Sequence, residues 1–183
     1  MTSETSTNPS MTHAPDTRTV DRVHTPSLEH LDAIPDDDVP TAGIDPIESL
    51  EEALAAINLF IARPLRSETI VLWRDPLGRG QGMISVSGTE HPSDVLDVLD
   101  VIADARDGLP ECVSDPFPDG PSDVASLVIA SVRPGAHPDP GDVTLWSDLM
   151  SLADARGIEV TEWAVIGHDI WVPRMLAGQP SRW

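Results

Sequence analysis

The stretch "ASLVIASV", from Ala125 to Val132, is apolar at nearly every position. A strand with one wet face alternates apolar and polar residues, so a continuous run has no polar side to offer to water. Such a run belongs in the interior of a sheet covered on both faces, and helices are the elements that cover it. This one segment therefore predicts an α/β protein and excludes an all-helical bundle or a half-exposed meander.

The flanking patterns supply the covering helices. "DPIESLEEALAAINLFIARPL" carries acids in its first turn and places Leu50, Leu54, Ile57 and Ile61 on one face, predicting a leading helix over 46–63. "HPSDVLDVLDVIADARDG" predicts a second helix, opened by Ser93 and closed by Gly108. Its buried stripe is Val95, Val98, Leu99 and Ile102, and its outer edge is Asp97, Asp100, Asp104 and Asp107. A third helix runs over Asp142–Arg156, with Leu145, Trp146, Leu149, Leu152 and Ala153 inward and Gly157 at its end. Further strands are expected at Thr69–Arg74, at Met83–Ser87, and on either side of the turn Gly167-His168-Asp169. The predicted order is helix, strand, strand, helix, strand, helix, strand, strand: a mixed sheet flanked by helices. "ADAR" recurs at Ala103–Arg106 and Ala153–Arg156, giving two similar helix endings.

Residues 1–45 are rich in Thr, Ser, Pro and Asp and poor in large apolar side chains, which predicts a disordered acidic tail. Only "VHTPSLEHLDAI" within it has the makings of a short docking helix. The globular domain is expected over 46–183, with its core at 68–178.

The chain of 183 residues carries 11 basic and 31 acidic side chains, a formal charge of −20. That balance opposes direct nucleic-acid binding, which needs cations to displace phosphate counterions, and opposes docking on an anionic membrane. All basic residues are Arg, which with abundant Ala, Asp, Pro and Val suggests a GC-rich bacterial genome. The single cysteine, Cys112, forms no internal disulfide and suits a reducing cytoplasm. No apolar run approaches the ~20 residues of a membrane span, and no secretory leader pattern opens the sequence.

Five phrases in order carry a family resemblance: "VSGTEHPSDVLDVL", "SLVIAS", "RPGAHPDPGDV", "DVTLWSDLMSLADARGIEV" and "VTEWAVIGHDIWVPRMLAG". Together they resemble the RadC-like branch of the JAB/MPN metalloprotease-fold families, whose layers are similar to those of cytidine deaminases. The resemblance implies a zinc site built from His-x-His-Pro after the central strand, Ser-x-x-Asp at the next helix start and a Glu from an earlier element. Here the His-x-His-Pro positions read Ser131, Val132, Arg133 and Pro134, while Asp142 falls at the family's Asp and Gly141 supplies no hydroxyl. A guanidinium ~4 Å from Zn²⁺ at an effective dielectric of ~20 would cost about 8 kcal/mol, which one carboxylate cannot offset.

The expected function is accordingly a non-catalytic binding or scaffold module that acts on a protein partner, with no catalytic residue and no cofactor. An alternative is a hydrolase or peptidase that rebuilds a zinc site from His137, Asp139 and Asp142. A DNA-repair role is implied by the family's naming and opposed by the charge. Trp171 and Trp183 are the candidate exposed anchors for a partner. Asp142 is expected to serve as a helix N-terminal residue, its carboxylate facing the amides of the first turn.

Overall fold

The computed structural model describes residues 25–108 and 126–183. Residues 1–24, including most of the expected tail, and the segment containing Cys112 lie outside it, as does the side chain of Asp107.

Five strands form one mixed sheet: β1 (Glu68–Arg74), β2 (Gly80–Ser87), β3 (Ser126–Val132), β4 (Val160–Ile166) and β5 (Ile170–Trp171). Their order across the sheet is β2-β1-β3-β4-β5, with only β3 and β4 parallel. The apolar run that predicted a central strand is central: every residue of β3 is buried, and so is every residue of β4.

Alternation along these strands divides the core in two. Ile70, Leu72, Val128, Ala130, Ala164 and Ile166 face α2 (Leu50–Asn58). Val71, Trp73, Leu127, Ile129, Trp163 and Val165 face α3 (Asp94–Gly108) and α4 (Gly141–Ala155). The result is three layers with the sheet in the middle, matching the predicted α/β class and element order.

The leading helix is shorter than expected. Pro46 does not open it; that residue bridges to Arg79 beside the β1–β2 turn. The helix starts after Ser49, whose Oγ accepts the Glu52 amide at 3.1 Å, while the Glu52 carboxylate accepts the Glu48 amide at 2.6 Å. These reciprocal bonds satisfy donors that a helix leaves free at its start. At the other end, α4 closes as its sequence indicates. Gly157 sits at φ +62, and Ile158 N–H donates to the Ala153 carbonyl at 2.9 Å. A left-handed residue at that position suits glycine.

The two "ADAR" endings interlock. Arg106 of α3 donates to the carbonyls of Arg156 and Gly157 at the end of α4. Arg156 in turn pairs with Asp100 and Asp104 of α3. The acidic edge of α3 is thus partly occupied by its neighbour, while Asp97 remains exposed.

The expectation of a tail extending to residue 45 is corrected. A short helix, α1 (Leu28–Asp32), and a 3-10 turn at Asp36–Asp38 lie against the α2 side of the domain. Leu31 is only 2% exposed, and Leu28, Ile34 and Val39 pack against the same core. Ser27 caps α1 by accepting the His30 amide, and Asp32 accepts from Asn58 and Arg63 across the gap. One buried leucine, one cap and one polar cluster offset the ordering of a short segment whose average composition is polar. The helix α1 lies within the fragment "VHTPSLEHLDAI", whereas a last helix, α5 (Pro173–Leu176), was not expected. No helix among the described residues is long and apolar enough to cross a membrane.

Two leucines test this packing. Leu149 in α4 is fully buried and neighbouring Asp148 is exposed. Leu149→Ala and Leu31→Ala should each lower unfolding free energy in urea by about 2–5 kcal/mol, and Asp148→Ala by under about 0.5 kcal/mol. A neutral Leu31→Ala would mean that α1 is not docked.

Candidate functional site

The loop after β3 and the turn after β4 leave adjacent parallel strands on the same side of the sheet, so their residues meet. Arg133 N–H donates to the Ile166 carbonyl at 2.8 Å, and His168 N–H donates to the Ala136 carbonyl at 2.7 Å. The contact depends on Gly167: a Cβ there would stand 2.4 Å from the Ala136 oxygen, closer than atoms can approach. Loop and turn are therefore one unit, and α4 begins directly beneath it.

Within this unit lies a buried ion pair. Arg133 Nη1 donates to Asp142 Oδ1 at 2.7 Å, with side chains 10% and 1% exposed respectively. The second carboxylate oxygen accepts Trp171 Nε1–H at 2.9 Å. The guanidinium also lies over the Trp163 ring, 5.6 Å from its centroid, and Trp163 Nε1–H donates to Ser131 Oγ at 3.0 Å. Arg133 Nη2 is buried with no hydrogen-bond partner. The charges are thus paired in a buried setting, where an isolated carboxylate would be costly.

These contacts revise three sequence expectations. Asp142 is not an N-terminal cap. Gly141 precedes it in the helix, α4 has no side-chain cap bond at Pro140, and the Asp142 carboxylate turns inward to Arg133 and Trp171. Trp171 is no exposed anchor: it is 4% exposed and spends its one donor on Asp142. Trp183 is half-buried against the α2-side core, with the Arg74 guanidinium 4.2 Å from its ring centroid.

His137, Asp139 and Asp142 do not form a ligand set. Both Asp142 oxygens are engaged inside the domain, and Asp139 Oδ1 accepts the Gly141 amide at 2.8 Å. His137 is exposed and lies against His168, their ring centroids 5.1 Å apart. Among the described residues no group of three or more His, Cys, Asp and Glu is arranged to hold a metal ion. Glu68, a buried carboxylate on β1, shares a sheet face with Ile70 and Leu72, away from α4; it is bound by the Ala62 amide and the Ser85 hydroxyl. Pro134 is exposed in the turn that follows Arg133. The donor set present therefore does not fit zinc.

Sequence reasoning treated Arg133 only as an obstacle to a cation and missed it as Asp142's partner. The available signal was a permanent cation and a carboxylate standing at the two ends of one proline-rich loop. It also missed a second buried polar cluster on the α2 side. Glu162, in the middle of β4, is fully buried; its Oε2 accepts Ser181 Oγ–H at 2.9 Å and the Arg182 amide at 3.3 Å. Burial pushes its pKa above the ordinary 4.5, against the opposing pull of Ser181, the Arg182 amide, Arg174 and Arg182. Oε1 has no hydrogen-bond partner.

Two predictions follow from these clusters. Arg133→Met and Asp142→Asn should each cost about 3–5 kcal/mol, because each strands a buried charge, while the double variant should recover much of that loss. Additive costs would show that the two do not act as a pair. For Glu162, the folded state binds its proton more tightly than the unfolded state. Its stabilising contribution is present below about pH 4.5 and is lost as pH rises through the raised folded value. Glu162→Gln should therefore gain stability over wild type as pH rises above about 4.5 in urea titrations; a difference that does not change with pH would mean that Glu162 binds its proton equally well in the folded and unfolded states.

Compared with protein-family models the chain matches none, and a search of the curated proteins likewise finds no match. The domain is thus characterised by its own geometry: a three-layer α/β unit whose loop-and-turn junction encloses an Arg133–Asp142–Trp171 cluster.

Proposed function

We propose that this chain is a degenerate RadC-like JAB-type domain that acts as a cytoplasmic protein-binding or scaffold module and not as a metallopeptidase. The observation that supports this reading is the ion pair: the guanidinium of Arg133 satisfies the buried carboxylate of Asp142 that a metal ion would otherwise neutralise. A guanidinium stays charged at any physiological pH, carries no exchangeable water and polarises no nucleophile. It can hold the loop, the turn and α4 together as a cation would, but it cannot generate a hydroxide for hydrolysis. Ser131 is bound to the Trp163 indole and Asp139 to a helix amide, so both are engaged in holding the unit together. The charge of −20 favours a protein partner with a basic surface over nucleic acid.

Metal analysis of protein purified without added metal or chelator tests the reading. Zinc well below one equivalent is expected, together with a melting temperature that differs by less than about 1 °C between chelator and excess zinc. Stoichiometric tight zinc, or a zinc-dependent rise that disappears in Asp142→Asn, would overturn it and restore a hydrolase centred on Asp142.

A further inference from the structure

The two edges of the sheet are finished in opposite ways. At one edge, β5 is two residues long, preceded by Asp169 and followed two residues on by Pro173, so it offers little backbone to another strand. At the other, β2 spans Gly80–Ser87, and its sequence "GQGMISVS" has no charged residue and no proline. Natural edge strands are ordinarily blunted by charge, proline, shortness or a cover, because their free N–H and C=O groups template pairing. Only the start of β2 is covered among the described residues, where Gly43 N–H donates to the Gly80 carbonyl and Pro46 bridges to Arg79.

The register fixes which groups face outward. Gly88 N–H donates inward to the Ser67 carbonyl, and alternation along an antiparallel strand then turns the peptide groups of Ser87, Ser85 and Met83 away from β1. No described backbone group outside the strands bonds to them. Ile84 projects from the same strand and is 42% exposed.

We propose that the outer edge of β2 is the surface by which two copies of this chain pair, antiparallel, about a two-fold axis at Ser85. That arrangement is self-complementary. Ser85 faces Ser85 of the second copy, Met83 faces its Ser87, and the outward N–H and C=O groups of each strand find acceptors and donors on the other. On the α3 side, Ile84 comes beside Val86 of the second copy, joining two short apolar strips into one. Electrostatics opposes pairing of like-charged copies, and this strip opposes it least. Two bodies of charge −20 repel, so close approach is cheapest along a surface without charge, and Gly80 to Gly88 is an uncharged run. The Ser85 hydroxyl is already turned inward to Glu68 at 2.7 Å, which leaves its backbone to meet a partner. A single strand edge buries less than the ~1,200 Å² at which stable interfaces begin, so micromolar association is expected. The inference stands whether or not Arg133 has taken the place of a metal.

Sedimentation velocity of the full chain from about 1 to 200 µM tests it, with the circular-dichroism melt of each variant as a folding control. Wild type should pass from monomer to dimer within that range, and the dimer should tighten as salt screens the repulsion. Ile84→Glu, at an exposed side chain, should weaken association by about tenfold or more. Ser87→Pro, which removes an outward N–H and spares the bonds to β1, should do the same and serves if the first variant fails to fold. Wild type that stays monomeric up to the highest concentration, or a dimer that both folded variants leave intact, would overturn the proposal.

Discussion

Three adjacent strands with no wet face govern this domain. β1, β3 and β4 bury both sides almost completely, so neither face of the sheet can be left to solvent, and each needs a layer of helix. α2 and the short α1 answer for one side, α3 and α4 for the other. The parallel pairing of β3 with β4 adds a second requirement. Two parallel neighbours need a long crossover, and α4 is that crossover. The loop entering α4 and the turn leaving β4 are then brought to the same end of the sheet, which is why a polar cluster can form there at all.

Polar groups inside such a sheet must be answered locally, and the two faces show different solutions. On the α4 side Asp142 is matched by a guanidinium and an indole, and Ser131 by a second indole. On the α2 side Glu162 is met by a hydroxyl and a backbone amide from the C-terminal segment, and one oxygen is left over. The first arrangement keeps a charge by pairing it. The second tolerates a carboxyl group by raising its affinity for a proton. Tryptophan suits the α4 side, since a large ring with a single donor can fill a core and still terminate a polar chain.

Most of this framework could be read from periodicity. The strands and the three long helices have strong apolar patterns, and the structure places Leu54, Ile57, Leu99 and Leu149 inside as those patterns require. What escaped was decided by single contacts between distant segments. The fragment around Leu31 had the makings of a short helix, but the tail-like composition of its surroundings hid how deeply Leu31 docks. The Arg133–Asp142 pair joins residues nine apart in sequence, and no periodic pattern encodes that meeting. Trp171 looked like an anchor in a terminal hairpin because its donor's partner lies 29 positions away. The helix start at Ser49 was missed because Pro46, a good opening residue in isolation, is recruited by Arg79.

The crossed arginines of the two "ADAR" endings carry a consequence for how the domain loosens. Arg106 closes the end of a helix to which it does not belong, and Arg156 neutralises acids on the helix that supplies Arg106. Each pair is partly exposed and worth little alone. Because each terminus is finished by the other's side chain, unwinding either one strips contacts from both. The two helix ends are therefore linked thermodynamically, and their fraying is one cooperative event where separate caps would have allowed two.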